Sequence, residues 1–574
     1  MRRRDRRFHC VLALAVGIAS TGAALAQVYT TPNTTTGLGP VSVSLGTTEI
    51  INYGLQGAGR ISASFVDAFG DTYGSVSGLQ IGNWQLTAPN YYTGTFYTLP
   101  DRGFNNPATG TFSDFAGRIQ QVDFSFTPYT GAAPLGGTSI AEKLATQNQI
   151  ATIYKGGTRF TYTDGPGLAY TTGLDPARGA AGTASLFGQQ APYVQSQTIN
   201  GVDWRVNQLA LDAEGLILKR DGSGYVSDEY GPNIYYFDAN KKIVGALTLP
   251  EAVRPYGAAA AGGLPAVPAT QLNFNSVNPP LEGRRNNQGM EGIALSPDGT
   301  KLYAMMQSAT MQDSTESQQT RLNTRLLVYT VGAPDANGVP THTLSEEYAL
   351  KLPIFRRDGN GGAPNRTAAQ SEIIALGDGK LLVLSRDGNG LGSGDASQAM
   401  FKSVLLVDTE GATNFAGTGF DAKGAAISPG GTLDATITPM TWVEALNMLN
   451  TEQLAKFNFN LNNSAVDRLT LSEKWEGLAL VPALDPTRPN DYFLFIANDN
   501  DFQTTNGIMQ LANGDPLLYD ASAGVPSNLY ADNDTVFLAY RITINPVPEP
   551  GTWAMMLAGL SAFGLLAYRR RRTV

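Results

Sequence analysis

Residues 289–308, GMEGIALSPDGTKLYAMMQS, decide the fold class because they contain one complete structural unit. An apolar run that begins at Met290 and Glu291 is followed by a Ser-Pro-Asp-Gly turn and by a second apolar run that ends in amide and hydroxyl residues. Two apolar runs separated by such a turn predict an antiparallel hairpin. With 64 Gly and 32 Pro between many short apolar runs, the whole chain is predicted to be all-β.

Related units recur along the chain. They comprise residues 75–81 with 96–103, 212–218 with 224–232, 371–390, and 474–482 with 492–501. One such sheet cannot bury its apolar face alone, whereas sheets stacked radially bury one another. We therefore predict a β-propeller. Residues 120–126 and 158–162 are interpreted as parts of another sheet, which gives six or seven blades.

The segments between the units are predicted to be loop and short helical insertions. Residues 139–146 and 441–457 have the character of helices. Residues 176–192 and 255–270 are rich in Ala, Gly and Pro and lack the period of a strand, so they are predicted to be surface loops.

The two ends are predicted to be targeting segments. Residues 1–26 combine an arginine-rich start, an apolar stretch and Ala24-Leu25-Ala26, which is typical of a signal peptide. This leaves residues 27–545 as the folded domain. Residues 546–574 contain Pro548, Glu549 and Pro550, then an apolar stretch and four arginines. One interpretation of this tail is a single transmembrane anchor.

The tail also resembles the PEP-CTERM sorting signal of Gram-negative bacteria, with its Pro-Glu-Pro, apolar segment and basic terminus in the same order. The resemblance implies cleavage by an exosortase, after signal peptidase has removed the first segment. It further implies a transient C-terminal membrane segment and delivery to the cell surface or the extracellular polysaccharide.

Charge, histidine and cysteine content restrict the chemistry. The net charge is −9 although both ends are rich in arginine, so the domain between them is more acidic still and a poor candidate for binding nucleic acid. Cys10 lies in the signal segment, which leaves no thiol nucleophile. His342 is the only histidine beyond that segment, so histidine-rich zinc sites are excluded and a Ser-His-Asp triad has little support. Oxygen ligands suited to Ca²⁺ remain abundant.

Carboxylates recur at corresponding places in the units. If each chain segment runs out and back through one turn, the glutamates that begin the units and the charged residues that end them lie near the same face of the propeller. We predict that Asp228, Glu229, Arg102 and Arg386 are catalytic, the arginines by gripping phosphate oxygens. The predicted metal ligands are Asp101, Glu214, Glu291, Glu372, Asp387, Glu476, Asp499 and Asp501. Converging carboxylates repel one another, which favours bound Ca²⁺.

Structural roles remain open for the same residues. A Glu in the Glu-Gly-Ile/Leu motif can accept backbone N–H groups at a turn, and its Gly can serve to adopt a positive φ. Neighbouring Asp and Arg residues can form salt bridges between blades, and Tyr230 can be a core aromatic. The loops at residues 386–395 and 498–502 suit Ca²⁺, but neither matches an EF-hand loop.

Taken as a set, FYTLPDRG, GYVSDEYGPNIYYFD, NNQGMEGIALSPDGTKLYAMMQS, SEIIALGDGKLLVLSRD and WEGLAL resemble the phytase-like family known for esterase-like activity. The resemblance covers roughly Leu79 to Arg541 and implies a propeller that hydrolyses phosphoesters. Metal-assisted attack by water, without a covalent enzyme intermediate, would suit a domain that has no Cys and only one His to serve as nucleophile or base. Carboxylic esters or lactones remain open as substrates. The alternative is a Ca²⁺-stabilised propeller that binds glycans or matrix without catalysis.

Overall fold

The computed structural model describes most of the chain between Gln27 and Pro546. The described residues are 27–106, 111–164, 167–176, 182–187, 189–194, 197–199, 202–204, 208–257, 272, 274, 279–394, 397–461, 464–510 and 515–546. The predicted signal peptide and the sorting residues Pro548, Glu549 and Pro550 lie outside them.

The described residues form a β-propeller of five antiparallel sheets, called blades 1 to 5 in chain order. From the axis outwards, blade 1 comprises Gly78–Ala88, Tyr91–Leu99, Arg118–Phe126 and Ile150–Arg159. Blade 2 comprises Ala213–Leu218, Gly224–Asp228, Ile234–Phe237 and Ile243–Ala246. Blade 3 comprises Met290–Leu295, Lys301–Met306, Asn323–Pro334 and Pro340–Lys351. Blade 4 comprises Ala369–Gly377, Lys380–Arg386, Lys402–Asp408 and Thr441–Asn447.

Blade 5 joins the two ends of the folded domain. Its strands, again from the axis, are Lys474–Pro482, Asp491–Asp499, Thr535–Pro546, Thr48–Ile61 and Val41–Leu45. The strand from the start of the domain, Thr48–Ile61, therefore pairs antiparallel with its last strand, Thr535–Pro546. This pairing closes the ring and leaves no gap between the first and last sheets.

The predicted number of blades, six or seven, is not confirmed. The innermost strands of the five blades pack in a closed ring. Two ranges were predicted to belong to a further sheet. Residues 120–126 lie instead in the third strand of blade 1, and residues 158–162 span the end of its fourth strand and the bridge between Thr161 and Lys242 that follows it. Each unit recognised in the sequence is thus one blade, and the apparent extra unit is the outer half of the first.

Glycines allow the innermost strands to approach one another closely at the axis. A Cβ on Gly215 would lie 2.6 Å from the carbonyl oxygen of Glu291 in the next blade, and one on Gly78 would lie 2.7 Å from that of Glu214. Neither glycine has a positive φ. The Gly of the Glu-Gly motif is therefore required for close packing between blades rather than for a left-handed turn.

Apolar side chains fill the spaces between blades. Phe96 of blade 1 stacks on Phe537 of blade 5 with ring centroids 4.5 Å apart. Trp475, the largest fully buried side chain, packs between blades 4 and 5 and donates its indole N–H to the carbonyl oxygen of Ser472. These contacts hold the sheets in the radial arrangement that creates the axial site.

Small strands and two helices make up the insertions. The paired short strands are Val28–Tyr29 with Ile354–Phe355 and Arg366–Thr367, Asn105–Asn106 with Thr111–Phe112, Thr161–Asp164 with Gly167–Tyr170, Gln197–Ile199 with Val202–Trp204, and Gly507–Gln510 with Pro516–Tyr519. A further sheet comprises Gly182–Leu186, Gln189–Val194 and Gln208–Leu209, so the prediction of a structureless loop at 176–192 was wrong there. Of the loop predicted at 255–270, only residues 255–257 are described.

The helix predicted at 139–146 is confirmed as Ile140–Thr146, with Ser139 and Glu142 forming a capping box. The helix predicted at 441–457 is correct only at its end, Thr451–Lys456. Thr441–Asn447 is a strand because it pairs with Lys402–Asp408 as the outer edge of blade 4. Short 3₁₀ turns occur at Glu251–Val253, Gln318–Thr320, Gly419–Asp421 and Pro429–Gly431. None of the helices in the described ranges is long and apolar enough to cross a membrane.

Candidate active site in the axial cavity

A cavity of about 540 Å³ lies at the end of the propeller axis where the innermost strands begin. We call it the axial cavity. Its carboxylic acids are Asp101, Asp212, Glu214, Glu229, Glu291, Asp387, Glu476, Asp499 and Asp501, and its cationic residues are Arg102, Arg357, Arg366, Arg386 and Lys474. Acids outnumber cations, so the cavity favours an additional cation.

A β-bulge directs three glutamates towards the axis. In blades 2, 3 and 5 the register of the first strand pair shifts where Glu214, Glu291 and Glu476 lie. A bulge re-aims the side chain of its unpaired residue, which explains why an acid in an otherwise apolar strand faces the cavity.

The bulge of blade 4 lies one residue earlier than the sequence repeat suggested. Gln370 pairs with Ser385 and Glu372 pairs with Leu384, so Ser371 is the unpaired residue. Glu372 instead accepts backbone N–H groups from Ile293 and Ile373 and does not line the axial cavity. A shift of one residue exchanges the two faces of a strand, which removes Glu372 from the predicted ring of four glutamates.

Two groups of three carboxylates meet in the cavity. Asp101, Asp499 and Asp501 form the first triad, and Asp212, Glu214 and Glu229 form the second. Within each triad, one oxygen of every carboxylate lies within 4.8 Å of the others. Three converging carboxylate oxygens are a suitable beginning of a site for a hard cation such as Ca²⁺, which takes six to eight oxygen ligands.

Cationic side chains already contact these acids. Lys474 places its Nζ 2.6 Å from Oδ1 of Asp501 and 3.4 Å from Oδ2 of Asp499. Arg102 places its Nη1 3.1 Å from Oδ2 of Asp212. Each triad is therefore partly neutralised by the protein itself, and a bound metal ion would have to share the carboxylates with Lys474 and Arg102.

Arg102 and Arg386 point into the cavity from opposite sides of the ring, from blades 1 and 4. Arg102 also donates to Oδ1 of Asn287 at 2.8 Å and lies over the ring of Tyr230. Arg386 donates to Glu476 and, at 3.2 Å, to Oγ of Ser371.

Burial and mutual repulsion raise the pKa of several acids of the cavity. Burial, together with Asp212 and Asp501, raises the pKa of Asp101 to about 7. Burial and Asp212 raise that of Glu229 to about 8, against the opposing effect of Arg102 and Arg284. The pKa values of Glu214, Glu291 and Asp499 lie well above their usual range, first because of burial and then because of neighbouring carboxylates. Near neutral pH the site can therefore hold either protons or a cation.

Glu291 provides an independent sign that a ligand belongs here. Its Oε1 accepts from the side-chain amide of Gln307, but Oε2 is buried and has no hydrogen-bond partner. A buried carboxylate oxygen without a partner costs free energy unless a proton or a cation satisfies it. The residues present therefore fit a hard cation.

Of the residues singled out in the sequence, most converge. The axial cavity contains Asp101, Arg102, Glu214, Glu229, Glu291, Arg386, Asp387, Glu476, Asp499 and Asp501. Asp387 is committed to a buried ion pair, 2.5 Å from Nζ of Lys402. Asp228 does not line the cavity, because its carboxylate accepts the backbone N–H groups of Asp212, Tyr230 and Gly231 and so shapes the Gly-Pro turn. Its neighbour Glu229 faces the cavity.

Sequence reasoning missed Asp212, Lys474 and Ser371. Asp212 and Lys474 each stand two residues before the glutamate of the Glu-Gly motif, in LDAEGL and in EKWEGL. Residues two apart on a strand share a face, so this spacing was the signal that could have found them.

Comparisons with known proteins identify a family, a sorting motif and a relative of this chain. A family model described as the esterase-like activity of phytase matches residues 80–502, and the PEP-CTERM protein-sorting motif matches residues 546–572. A protein of Arthroderma benhamiae with the description uncharacterized secreted protein is 29% identical over 471 residues, which cover 79% of this chain and 88% of that protein.

Several solved structures align over most of the chain at low similarity. A luciferin-regenerating enzyme is 9% identical, with 88% of this chain and 95% of that chain covered and a TM-score of 0.24. The PQQ-bound aldose sugar dehydrogenase of Streptomyces coelicolor is 10% identical, with 86% and 100% covered and a TM-score of 0.23. The virginiamycin B lyase of Staphylococcus aureus is 10% identical, with 79% and 99% covered and a TM-score of 0.21. Nothing about the site follows from likenesses this low.

Proposed function

Because the chain belongs to the family described as the esterase-like activity of phytase, we propose that it is a hydrolase that cleaves phosphate esters in the axial cavity with the assistance of Ca²⁺. The observation that carries the proposal is the convergence of two carboxylate triads with Arg102, Arg386 and Lys474 in one cavity. The carboxylates suit a metal ion, and the cations suit the oxygens of a phosphate group.

The triad Asp101/Asp499/Asp501, together with Asp212 and Glu214 of the second triad, would hold Ca²⁺, which leaves Glu229 for proton transfer. Bound there, Ca²⁺ supplies positive charge that balances the carboxylates and polarises the phosphoryl group. The fit rests on the buried, unpartnered Oε2 of Glu291 and on the excess of acids over cations in the cavity.

Other side chains of the cavity bind the substrate and transfer protons. Arg102 and Arg386 bind the phosphate oxygens and hold the ester in place, since each can donate from two nitrogens. Glu229 holds or accepts a proton, because burial raises its pKa to about 8 and this lies near the working pH. A water molecule gives its proton to Glu229 and attacks phosphorus, the P–O bond to the ester oxygen breaks, and the alcohol leaves with a proton that Glu229 returns, so no covalent enzyme intermediate is needed.

We further propose that the protein is exported and retained at the surface of a Gram-negative cell. The match to the PEP-CTERM sorting motif and the secreted relative support this location. Signal peptidase and exosortase are then its processing partners. A small phosphorylated or other ester substrate is its catalytic partner.

One observation favours a second function without catalysis. Lys474 and Arg102 already occupy the carboxylate triads, so the acids and cations could serve mainly to hold the loops of blades 1, 2 and 5 together. In that case the protein is a propeller that binds extracellular polysaccharide or other matrix, and Ca²⁺ that shares the carboxylates with Lys474 and Arg102 would only stabilise it.

The test uses the protein comprising residues 27–545. Phosphate release from p-nitrophenyl phosphate and phytate is measured with Ca²⁺ and with a chelator, in the wild type and in Asp212→Asn and Asp499→Asn. Asp335→Asn serves as the matched control, because Asp335 lies in an exposed hairpin turn of blade 3 and accepts backbone N–H groups that Asn can also serve.

Calcium-dependent release that both triad variants lose and the control keeps would support the hydrolase. If phosphate is not released while Ca²⁺ still raises the melting temperature, carboxylic esters and lactones are tested next. Failure of all three substrate classes would leave the binding function.

A further inference from the structure

A second group of charged residues is buried far from the axial cavity, beneath the long insertion of blade 4. This insertion, residues 409–440, connects the third and fourth strands of blade 4 and packs against the outer edge of blade 3. Arg325 lies at the centre of the contact and is fully buried. It donates to Asp313 and Glu347 of the propeller and to the carbonyl oxygens of Phe420 and Ala425 in the insertion.

The charges in this group do not balance. Asp313 and Glu347 both pair with the single guanidinium of Arg325, and a third carboxylate, Asp421, lies against Glu347. Asp313 has partners for both oxygens, because it accepts from the backbone N–H groups of Ile427 and Ser428 as well as from Thr310 and Arg325. Glu347 and Asp421 therefore carry the excess negative charge.

Each of these two acids has one oxygen that nothing else satisfies. Oε1 of Glu347 accepts from Arg325, and one oxygen of Asp421 accepts from the N–H of Gly417 at 2.7 Å. Oε2 of Glu347 and Oδ1 of Asp421 are buried without another hydrogen-bond partner, and the two carboxyl groups are in hydrogen-bonding contact with each other. Two acceptors can form a hydrogen bond only if one of them carries a proton.

We propose that Glu347 and Asp421 share one proton, and that this proton fastens the insertion to blade 3 so that the insertion loosens as the pH rises. Arg325 on the same sheet as Glu347, Asp313 on the preceding loop, and Tyr329, whose hydroxyl donates to the carbonyl of Thr248, face the pair. The turn Glu251–Val253 also packs against Gly419–Asp421, and its titratable residue, Glu251, is a further acid. None of them can supply a second positive charge.

The sign of the pH effect follows from proton binding. Burial raises the pKa of Glu347 well above its usual range, against the effect of Arg325, and Asp421 raises it further. The folded protein therefore binds a proton that the unfolded chain releases. The stabilisation is present at low pH and is lost as the pH rises through the raised pKa of Glu347.

Loosening of the insertion would reach the axial cavity through one loop. Ser428 donates to the carbonyl oxygen of Asp313 at 2.8 Å, and Gln312 and Asn323 donate to carbonyl oxygens of the insertion at 3.3 and 3.0 Å. The same loop carries Gln318, which lines the axial cavity. The insertion held by Glu347 and Asp421 therefore contacts a loop that also forms part of the wall of the axial cavity.

Hydrogen exchange of backbone amides measures this fastening directly. Exchange is followed by mass spectrometry between pH 6 and 9 and corrected for the intrinsic rate at each pH. Between the ordinary pKa of a glutamic acid and the raised pKa of Glu347, protection of residues 411–437 should fall by up to about tenfold per pH unit and then level off, the dependence expected when opening releases one proton. Amides of the innermost strand of blade 1, Gly78–Ala88, report any opening of the whole fold.

Asp421→Asn should abolish the pH dependence, because the amide donates permanently to Oε2 of Glu347. Glu347→Gln should also give a flat profile, though with lower protection because Arg325 loses a charged partner. Asp434→Asn is the matched control on the same insertion and should behave as the wild type, since Asp434 is half-buried and its side chain accepts from Thr436 within its own turn, which the Asn oxygen can also do. Wild-type protection that does not change with pH, or an unchanged decline in both pair variants, would overturn the proposal.

Discussion

Calcium should stabilise this protein more strongly at pH 8 than at pH 6. In the absence of metal, the crowded acids of the axial cavity are relieved by protons. A carboxyl whose pKa is higher in the folded than in the unfolded chain stabilises the fold at low pH, and this contribution is lost as the pH rises through the folded value. For Asp101 and Glu229 the folded values are about 7 and about 8. Metal-free protein should therefore lose stability between pH 6 and 8.

The size of the effect can be worked from these two residues. Each retained proton changes the free energy of unfolding by about 1.4 kcal/mol per pH unit. Between pH 6 and 8, the proton on Asp101 contributes over about one pH unit and the proton on Glu229 over about two. The free energy of unfolding should therefore fall by at most about 4 kcal/mol, and by about 2 kcal/mol if partial solvation halves the effect. A domain of about 500 residues has an unfolding entropy near 1 kcal/mol per kelvin, so the melting temperature should fall by about 2 to 4 °C.

Calcium at about one hundred times its Kd would contribute about 2.7 kcal/mol, or close to 3 °C, once the ligands are ionised. Melting of residues 27–545 is followed by fluorescence at pH 6, 7 and 8, with Ca²⁺ and with a chelator. Asp499→Asn should reduce the Ca²⁺ shift at pH 8, whereas Asp335→Asn should not. An equal Ca²⁺ shift at pH 6 and pH 8, or metal-free protein that melts at the same temperature throughout, would refute the reasoning.

Three further predictions concern packing, ion pairs and the arginines of the cavity. Gly215→Ala places a Cβ 2.6 Å from the carbonyl oxygen of Glu291 and should cost about 1 to 3 kcal/mol in urea unfolding. Gly419→Ala, with no atom within 4 Å, should cost far less, and equal costs would argue against close packing of the blades. Asp67→Asn removes a partner of the buried Arg118 and should cost about 3 to 5 kcal/mol, whereas Asp123→Asn in the exposed pair with Lys155 should cost under about 1 kcal/mol. Arg386→Lys keeps the charge but loses the forked contact with Glu476 and Ser371, so ester turnover should fall about tenfold, the equivalent of one charged hydrogen bond. Arg356→Lys, at a half-buried arginine that does not line the axial cavity, should keep wild-type turnover, and a loss as large as that of Arg386→Lys would contradict a specific role for Arg386.

The sequence alone predicted that the chain is a propeller and that its acids converge. Each blade encodes its own first hairpin in a local pattern of two apolar runs and a turn, so residues 289–308 could be interpreted without any tertiary information. The same pattern placed Glu214, Glu291 and Glu476 at equivalent positions, and they do meet at the axis. Local hydrophobic periodicity and turn chemistry were sufficient for these features because they depend on neighbours in the chain.

Tertiary contacts decided the number of blades, the roles of individual acids and the closure of the ring. Glu372 lies outside the cavity because the bulge of blade 4 is at Ser371. Asp228 shapes a turn because its carboxylate accepts three backbone N–H groups. Lys474 lines the site, although the local sequence pattern identifies it only as the first residue of a strand. The pairing of Thr48–Ile61 with Thr535–Pro546 joins residues nearly five hundred positions apart. Register and long-range pairing are set by which side chains can pack across blades, and this is a property of the assembled sheets rather than of any short stretch of sequence.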